Sequence, residues 1–310
     1  MAKTLTFPIR TVLVQLTLNR LKPNFIRALM AKYSALAVST SYWKPKDTYL
    51  DRITLALEGR IEDGDFVVVS EKALSVATGN IIDESKVVPN QTAQFLADFW
   101  MRKIWGYPLG FLCGFGARLL NRLREYPKEA GARHKQVVLE QAGLLQALLF
   151  GSEGGIDGSN LAYSYVSLSL KNSFELAQKI QVDIEAILGK HVCVIIADTD
   201  KTYRFHNFYF TSRPNPLRGI RSFGGIFCYV AGRMLRLRRS STPLAVAGYA
   251  LTAGEALTIT NIADRARGPG SGATVWDMAD RFDVAVDMVS WMMLNTVLHK
   301  PIVVVRKKVS

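Results

Sequence analysis

The sequence predicts an α+β fold of mixed sheets and helices in two lobes. Short apolar runs such as FVVVS (66–70), VCVIIAD (192–198) and PIVVVRK (301–307) have the length and the branched side chains of buried strands. Helically spaced segments separate them, but strands and helices do not alternate regularly, which favours α+β over a doubly wound sheet. Hydrophobic residues make up 49% of the 310-residue chain, enough for a substantial core.

Taken in order, residues 4–18 read as a strand, 22–33 as a helix and 35–40 as a second strand. A helix over 49–60 leads through the turn IEDGD into the strand 66–70. Pro89 and Asn90 supply start signals for a helix over 92–105. The basic, glycine-bearing segment 107–133 interrupts this rhythm and reads as an insertion. A helix over 135–150 follows, then GGIDGSN (154–160), a strand-like run over 161–170, a helix over 172–189 and the buried strand 191–200. Beyond lie a glycine-rich aromatic stretch (203–233), a basic segment (233–242), a strand over 256–261, a helix over 274–298 and a closing strand over 301–308. The expected lobes are 1–150 and 151–310.

Lys and Arg outnumber Asp and Glu by 39 to 26, and the net charge of +13 favours anionic partners. Three widely spaced cysteines without CxxC spacing point to a reduced, cytoplasmic protein. No signal peptide is evident, and the longest uncharged apolar stretch, around Trp105, is too short to span a bilayer. The Walker spacing, the dinucleotide fingerprint and the GxSxG elbow are all absent, so neither P-loop nor Rossmann chemistry is expected. The four histidines lack zinc spacing, and the basic run RMLRLRR reads as a solvated face rather than a nucleic-acid patch.

Two carboxylates stand out. Asp157 sits in a turn whose glycines let backbone approach a ligand, and Asp198, with Thr199 beside it, ends a buried strand. Hard oxygen ligands of this kind suit magnesium or manganese. The same residues equally suit a turn closed by an Asx bond and a capped strand end. Ser70, Lys72, Ser75 and Gly79, after the strand 66–70, offer hydroxyls, amides and a cation to a phosphate chain, or make a solvated turn. ADRARGPGSGATVWDMADRF (263–282) places two arginines and a glycine-rich loop before a helix start, which is an anion site or a plain connection.

Three segments in this order resemble the coenzyme F420-0:L-glutamate ligase family, GTP-dependent enzymes that add γ-linked glutamates to a deazaflavin coenzyme. They are EDGDFVVVSEKALSVATGNI, GGIDGSN and GKHVCVIIADT, and PIVVVRK is similar to the family's end. The resemblance implies a two-lobed α+β protein working as an intertwined homodimer. It implies divalent metal on Asp157, Asp198 and Thr199, and a guanine nucleotide on Asn160, Leu74 and Ser75, with the loop at Trp43 and Lys44 touching it and Lys72 one turn away. Magnesium or manganese is then the expected cofactor, with a monovalent cation as a further candidate. GTP, L-glutamate and coenzyme F420-0 are the expected substrates, joined through an acyl phosphate. No further catalytic residue is assigned.

The chain departs from the family pattern where Val76 replaces a lysine and where NTVLHKP replaces a loop with a metal-binding glutamate. Residues 107–133 and the segment from Asp264 to Phe282 look like additions. Two alternatives follow: a paralogous amide ligase acting on another carboxylate, and a non-catalytic nucleotide-binding or membrane-associated protein.

Overall fold

The computed structural model describes residues 32–151 and 153–308, so the strand expected at 4–18 and nearly all of the helix expected at 22–33 lie outside the described residues. The fold is a mixed α+β arrangement built around a seven-stranded sheet, ordered β1 (Tyr33–Thr40), β9 (His299–Lys307), β2 (Phe66–Ser70), β5 (Cys193–Phe205), β6 (Phe208–Thr211) and β7 (Arg221–Ser222). β8 (Arg238–Ala247) pairs with β5 off this path. β2 and β5 run parallel; β1 with β9, β9 with β2, and β5 with β6 and β8 run antiparallel. Strands from before and after residue 150 therefore share one sheet. A small second sheet pairs β3 (Ile81–Asp83) with β4 (Tyr165–Ser167).

The central runs are apolar without alternation because both faces of the sheet are covered. Val67, Val69, Val194 and Ile196 pack with Ile53 and Leu57 of α1 (Tyr49–Leu57) and with Ile180 and Ile184 of α6 (Ser173–Leu188). On the opposite face, Val68, Cys193, Ile195, Val303 and Val305 pack with Ile259, Ile262 and Ala263 of α8 (Ala253–Arg267).

Residues 256–261, expected as a strand, belong to α8. Their Thr and Ile content favours a strand locally, but Thr252 and Glu255 form a reciprocal capping box that starts a helix. Ile259, Ile262 and Ala263, three and four apart, then face the sheet. The helix expected over 274–298 is likewise broken. α9 (Val275–Phe282) ends where Asp283 turns left-handed at φ 53°, and only short helical turns precede β9. Of the strand-like run 161–170, only Tyr165–Ser167 pairs as a strand.

A second, helical core lies beside the sheet. α3 (Gln91–Phe95), begun by the Asn90 side chain accepting from the Ala93 amide, continues as a π-helix over Leu96–Leu109. α4 (Ala117–Arg124) and α5 (Lys128–Ala142) complete it, so residues 107–133 are largely helical. Met101 and Trp105 pack with Leu123, Tyr126 and Leu149, and with Ile226 and Tyr229 of α7 (Ile226–Met234). α2 (Glu71–Ala77) follows β2 directly and brings the SEKAL segment beneath the site.

Ile196 is fully buried at the centre of β5. Ile196→Ala should lower unfolding free energy by about 2–5 kcal/mol, read from urea denaturation, because the cavity cannot collapse between covered layers.

Candidate functional site

β5 is long enough to change neighbours. Its first half pairs with β2 from Cys193 to Ala197, and its second half pairs with β6 from Thr202 onward. Along its other edge, β8 partners Asp198 through Thr242 and Lys201 through Ser241, so Thr199 and Asp200 are two extra residues on β5. Such a bulge re-aims side chains. Thr242 Oγ1 holds it by donating to the Asp200 carbonyl at 2.7 Å. Thr199, Asp200 and Lys201 consequently all line one cavity of about 770 Å³.

The GGIDGSN turn forms the facing wall. Gly154 and Gly155 take φ of 74° and 86°, a region side chains disfavour. A Cβ on Gly155 would also stand 2.6 Å from the Arg213 guanidinium, so that position requires glycine. Asp157 bridges to Ser167 through both backbone groups, and its Oδ1 accepts from the Ser159 amide at 2.7 Å. Its Oδ2 stands 2.5 Å from Lys72 Nζ. The Asx turn and the cavity-facing carboxylate are thus properties of the same side chain.

Beneath the cavity lies Arg213, 1% exposed. Its Nε donates to Asp198 Oδ2 at 2.7 Å, one terminal nitrogen donates to Glu71 Oε1 at 2.6 Å, and the other donates to the Gly154 carbonyl at 2.8 Å. Burial pushes the Glu71 carboxyl up, Arg213 opposes this, Asp198 adds to it, and the net value is about 7. Asp200 is pushed well above the carboxylate range, first by burial and then by Asp198, although Arg213 pulls the other way.

Of the residues expected from sequence, Asp157, Thr199, Asn160, Lys72 and Trp43 line the cavity. The Asp198 carboxylate is bound to Arg213, and Asp200, missed by the sequence reading, lines the cavity. Asp200 reaches the cavity through the bulge, which breaks the regular alternation of the strand and which no local pattern of residues announces. Leu74 is fully buried in the core beneath α2, and Ser75 spends its hydroxyl on the Asn80 and Leu168 carbonyls. The Lys44 amide closes a turn on Asp47, and the residue is not among those lining the cavity. The Asn160 amide accepts from the Ser271 amide at 2.7 Å and donates to the Gly272 carbonyl at 2.9 Å, tying the glycine-rich loop after α8 to the GGIDGSN turn.

Among the described residues, no three His, Cys, Asp or Glu side chains are grouped so as to hold a metal ion unaided. The chemistry of the donors on the cavity wall, Asp157, Thr199 and Asp200, is hard oxygen. Glu71, Asp157, Asp198 and Asp200 act on one another, with Arg213 and Lys72 as their paired cations. Hard oxygens of this kind suit magnesium or manganese.

A second charged group also lines the cavity. His134 on α5 pairs through Nδ1 with Glu84 at 2.6 Å and through Nε2 with Glu153 at 2.5 Å. Lys135, fully buried, donates to Glu153 at 2.8 Å and to the Leu149 carbonyl at 2.6 Å. Burial pulls the imidazole down, but the two glutamates outweigh it and raise it to about 10. Burial opposes ionisation of Glu153, but Lys135 and His134 outweigh it and hold the carboxyl at about 2.

A mixed α+β scaffold with one cavity lined by carboxylates, hydroxyls and cations has the makings of a small-molecule site, and it carries neither a P-loop nor a dinucleotide fingerprint. The sequence model of the F420-0:Gamma-glutamyl ligase family matches residues 37–306, and the chain belongs to that family, a class of carbon–nitrogen ligases. An uncharacterized protein of Methanocaldococcus jannaschii is 35% identical over 286 residues, covering 88% of this chain and 96% of that protein. The coenzyme F420:L-glutamate ligase of the same organism is 30% identical over 141 residues, covering 45% of this chain and 49% of that enzyme. No helix among the described residues is long and apolar enough to cross a membrane.

Arg213→Ala should destabilise the protein by about 3–5 kcal/mol in chemical denaturation, because it strands buried carboxylates without their partner. The His134 cluster gives a pH signature. Its folded value of about 10 lies above the ordinary 6.5, so its stabilisation is complete below pH 6.5 and lost as pH rises to about 10. The difference in unfolding free energy between wild type and His134→Gln should therefore shrink across that window, measured by urea titrations at stepped pH.

Proposed function

We propose that the protein is a GTP- and divalent-metal-dependent ligase that adds L-glutamate to coenzyme F420-0 through an acyl phosphate. The observation that carries this reading is the convergence of Asp157, Thr199, Asp200 and Lys72 on one cavity in a chain of this family. Asp157 and Asp200, with Thr199 and with Asp198 behind them, are the residues that would hold the metal. At ~4 Å, two like unit charges repel by about 4 kcal/mol at an effective dielectric of about 20. When bound, a divalent cation removes that penalty and neutralises charge on the transferring phosphoryl group.

The chain's own residues divide the remaining work. Lys72, held by Asp157 and by the Ser159 carbonyl at 3.0 Å, offers its ammonium to phosphate oxygens. Trp43 and Asn160 line the cavity, where they would border the nucleotide. The substrate carboxylate attacks the γ-phosphorus and GDP leaves. The glutamate amine then attacks the acyl carbon, phosphate leaves with the C–O bond electrons, and the ammonium proton passes to solvent or phosphate. Tyr126 and His134 of the helical wall line the cavity too, where they would shelter the acyl phosphate from water. A homodimer, a monovalent cation and a cytoplasmic site of action belong to the same proposal.

A second reading is a paralogous ligase acting on another acid. It is favoured because the relative matched along 96% of its length is the uncharacterized protein, whereas the F420 ligase matches over about half of its own.

Incubation with F420-0, L-glutamate, GTP and manganese should give a product one glutamyl unit heavier in mass spectrometry. No such product, but one from a panel of other carboxylates, selects the paralogue. Asp157→Asn and Asp200→Asn should each reduce turnover by on the order of 10²-fold with unchanged circular dichroism; wild-type turnover in both sinks the metal assignment.

A further inference from the structure

Two side-chain nitrogens on the cavity wall are buried without an acceptor: Nε1 of Trp43 and Nε of Arg267. Arg267 is the last residue of α8 and lines the cavity, yet no hydrogen bond or ion pair engages it among the described residues. Two other cations of the cavity wall already face protein carboxylates. Lys201 is 2.9 Å from Asp264, and Lys72 is 2.5 Å from Asp157. Burial lowers the Arg267 guanidinium from its ordinary value, and Asp264 and Asp198 only partly offset this. A guanidinium stays charged across the physiological range and presents donors only, so its missing partner is an acceptor with negative charge.

The position is built rather than incidental. Gly268, at φ 72°, ends α8 immediately after Arg267, and the next residues cross to Asn160, where the Ser271 amide donates to its side chain at 2.7 Å. Arg267 and the turn that carries Asp157 both line the cavity and are linked through this loop. His299 adjoins both orphan donors: its ring centroid is 6.0 Å from that of Trp43, and the Arg267 charge acts on it. Burial first, with Arg267 and Arg52 contributing, brings the imidazole down to about 4, so His299 supplies no competing cation at neutral pH.

We infer that Arg267 is an oxyanion-binding residue that receives a phosphate or carboxylate group of a bound substrate in a planar, two-pronged hydrogen-bonded pair. Which substrate carries that oxyanion rests on the ligase reading; the presence of an anion subsite does not.

The test is calorimetric titration of wild type, Arg267→Gln and Arg267→Lys with two probes, pyrophosphate and L-glutamate, together with thermal melts. Loss of the guanidinium should weaken at least one probe by about tenfold or more, with Arg267→Lys intermediate. The probe that weakens tells a phosphate subsite from a carboxylate subsite. Arg267→Gln should melt at or above the wild-type temperature, because it removes a desolvated cation that has no protein partner. Equal binding of both probes to wild type and Arg267→Gln, binding of neither probe to wild type, or a melt clearly below wild type would overturn the inference. If the probes bind through Arg267 while no glutamyl product forms from F420-0, the ligase reading fails and the anion subsite stands.

Discussion

A single buried guanidinium sets the arrangement around which the site is built. Arg213 reaches Glu71 at the start of α2, Asp198 on β5 and the Gly154 carbonyl in the GGIDGSN turn, three segments far apart in sequence. A charge so deeply buried is tolerable only when its donors are met by anions and carbonyls. The two carboxylates, 2% and 11% exposed, in turn depend on Arg213 for neutralisation. The constraint also explains composition, since the guanidinium occupies the space a Cβ would need at residue 155.

Once those segments are tied, the bulge in β5 decides what faces the cavity. The strand exchanges β2 for β6 as a neighbour just where β8 loses register, and the two extra residues release Thr199 and Asp200 from regular pairing. Asp198 and Asp200 thereby take separate tasks. One carboxylate neutralises Arg213, and the other borders the cavity with a proton affinity raised by burial and by its neighbours. Groups whose ionisation is costly until a ligand arrives are characteristic of binding and catalytic sites.

The helices over 91–142 are structural partners of this site rather than an appendage. Tyr126, Pro127, Arg133 and His134 line the cavity, and the core beneath them is shared with α7. The glycine-rich loop after α8 also closes on the site through Asn160. Residues 107–133 within these helices and 264–282 around the loop look like additions to the family pattern, and both contribute to the cavity wall. They are therefore where a member of this family would alter what it accepts, consistent with the short match to the F420 ligase of Methanocaldococcus jannaschii and the long match to its uncharacterized relative.

Much was legible in the residues alone. The apolar runs 66–70, 192–198 and 301–307 had to be strands buried on both faces, and the ordered motifs at Asp157, Asp198 and Thr199 pointed to one region of chemistry, because strand length, branching and turn glycines are local properties. The sequence could not show that Leu74 and Ser75 lie beneath the cavity rather than on it, that residues 256–261 form a helix, that Arg213 belongs to the site at all, or which reading of the arginines in 263–282 holds. Those outcomes depend on partners distant along the chain. Burial of Ile259 against the sheet outweighs its local strand preference, and Arg213 and Arg267 acquire their roles only from the carboxylates, or the lack of them, that folding brings within reach.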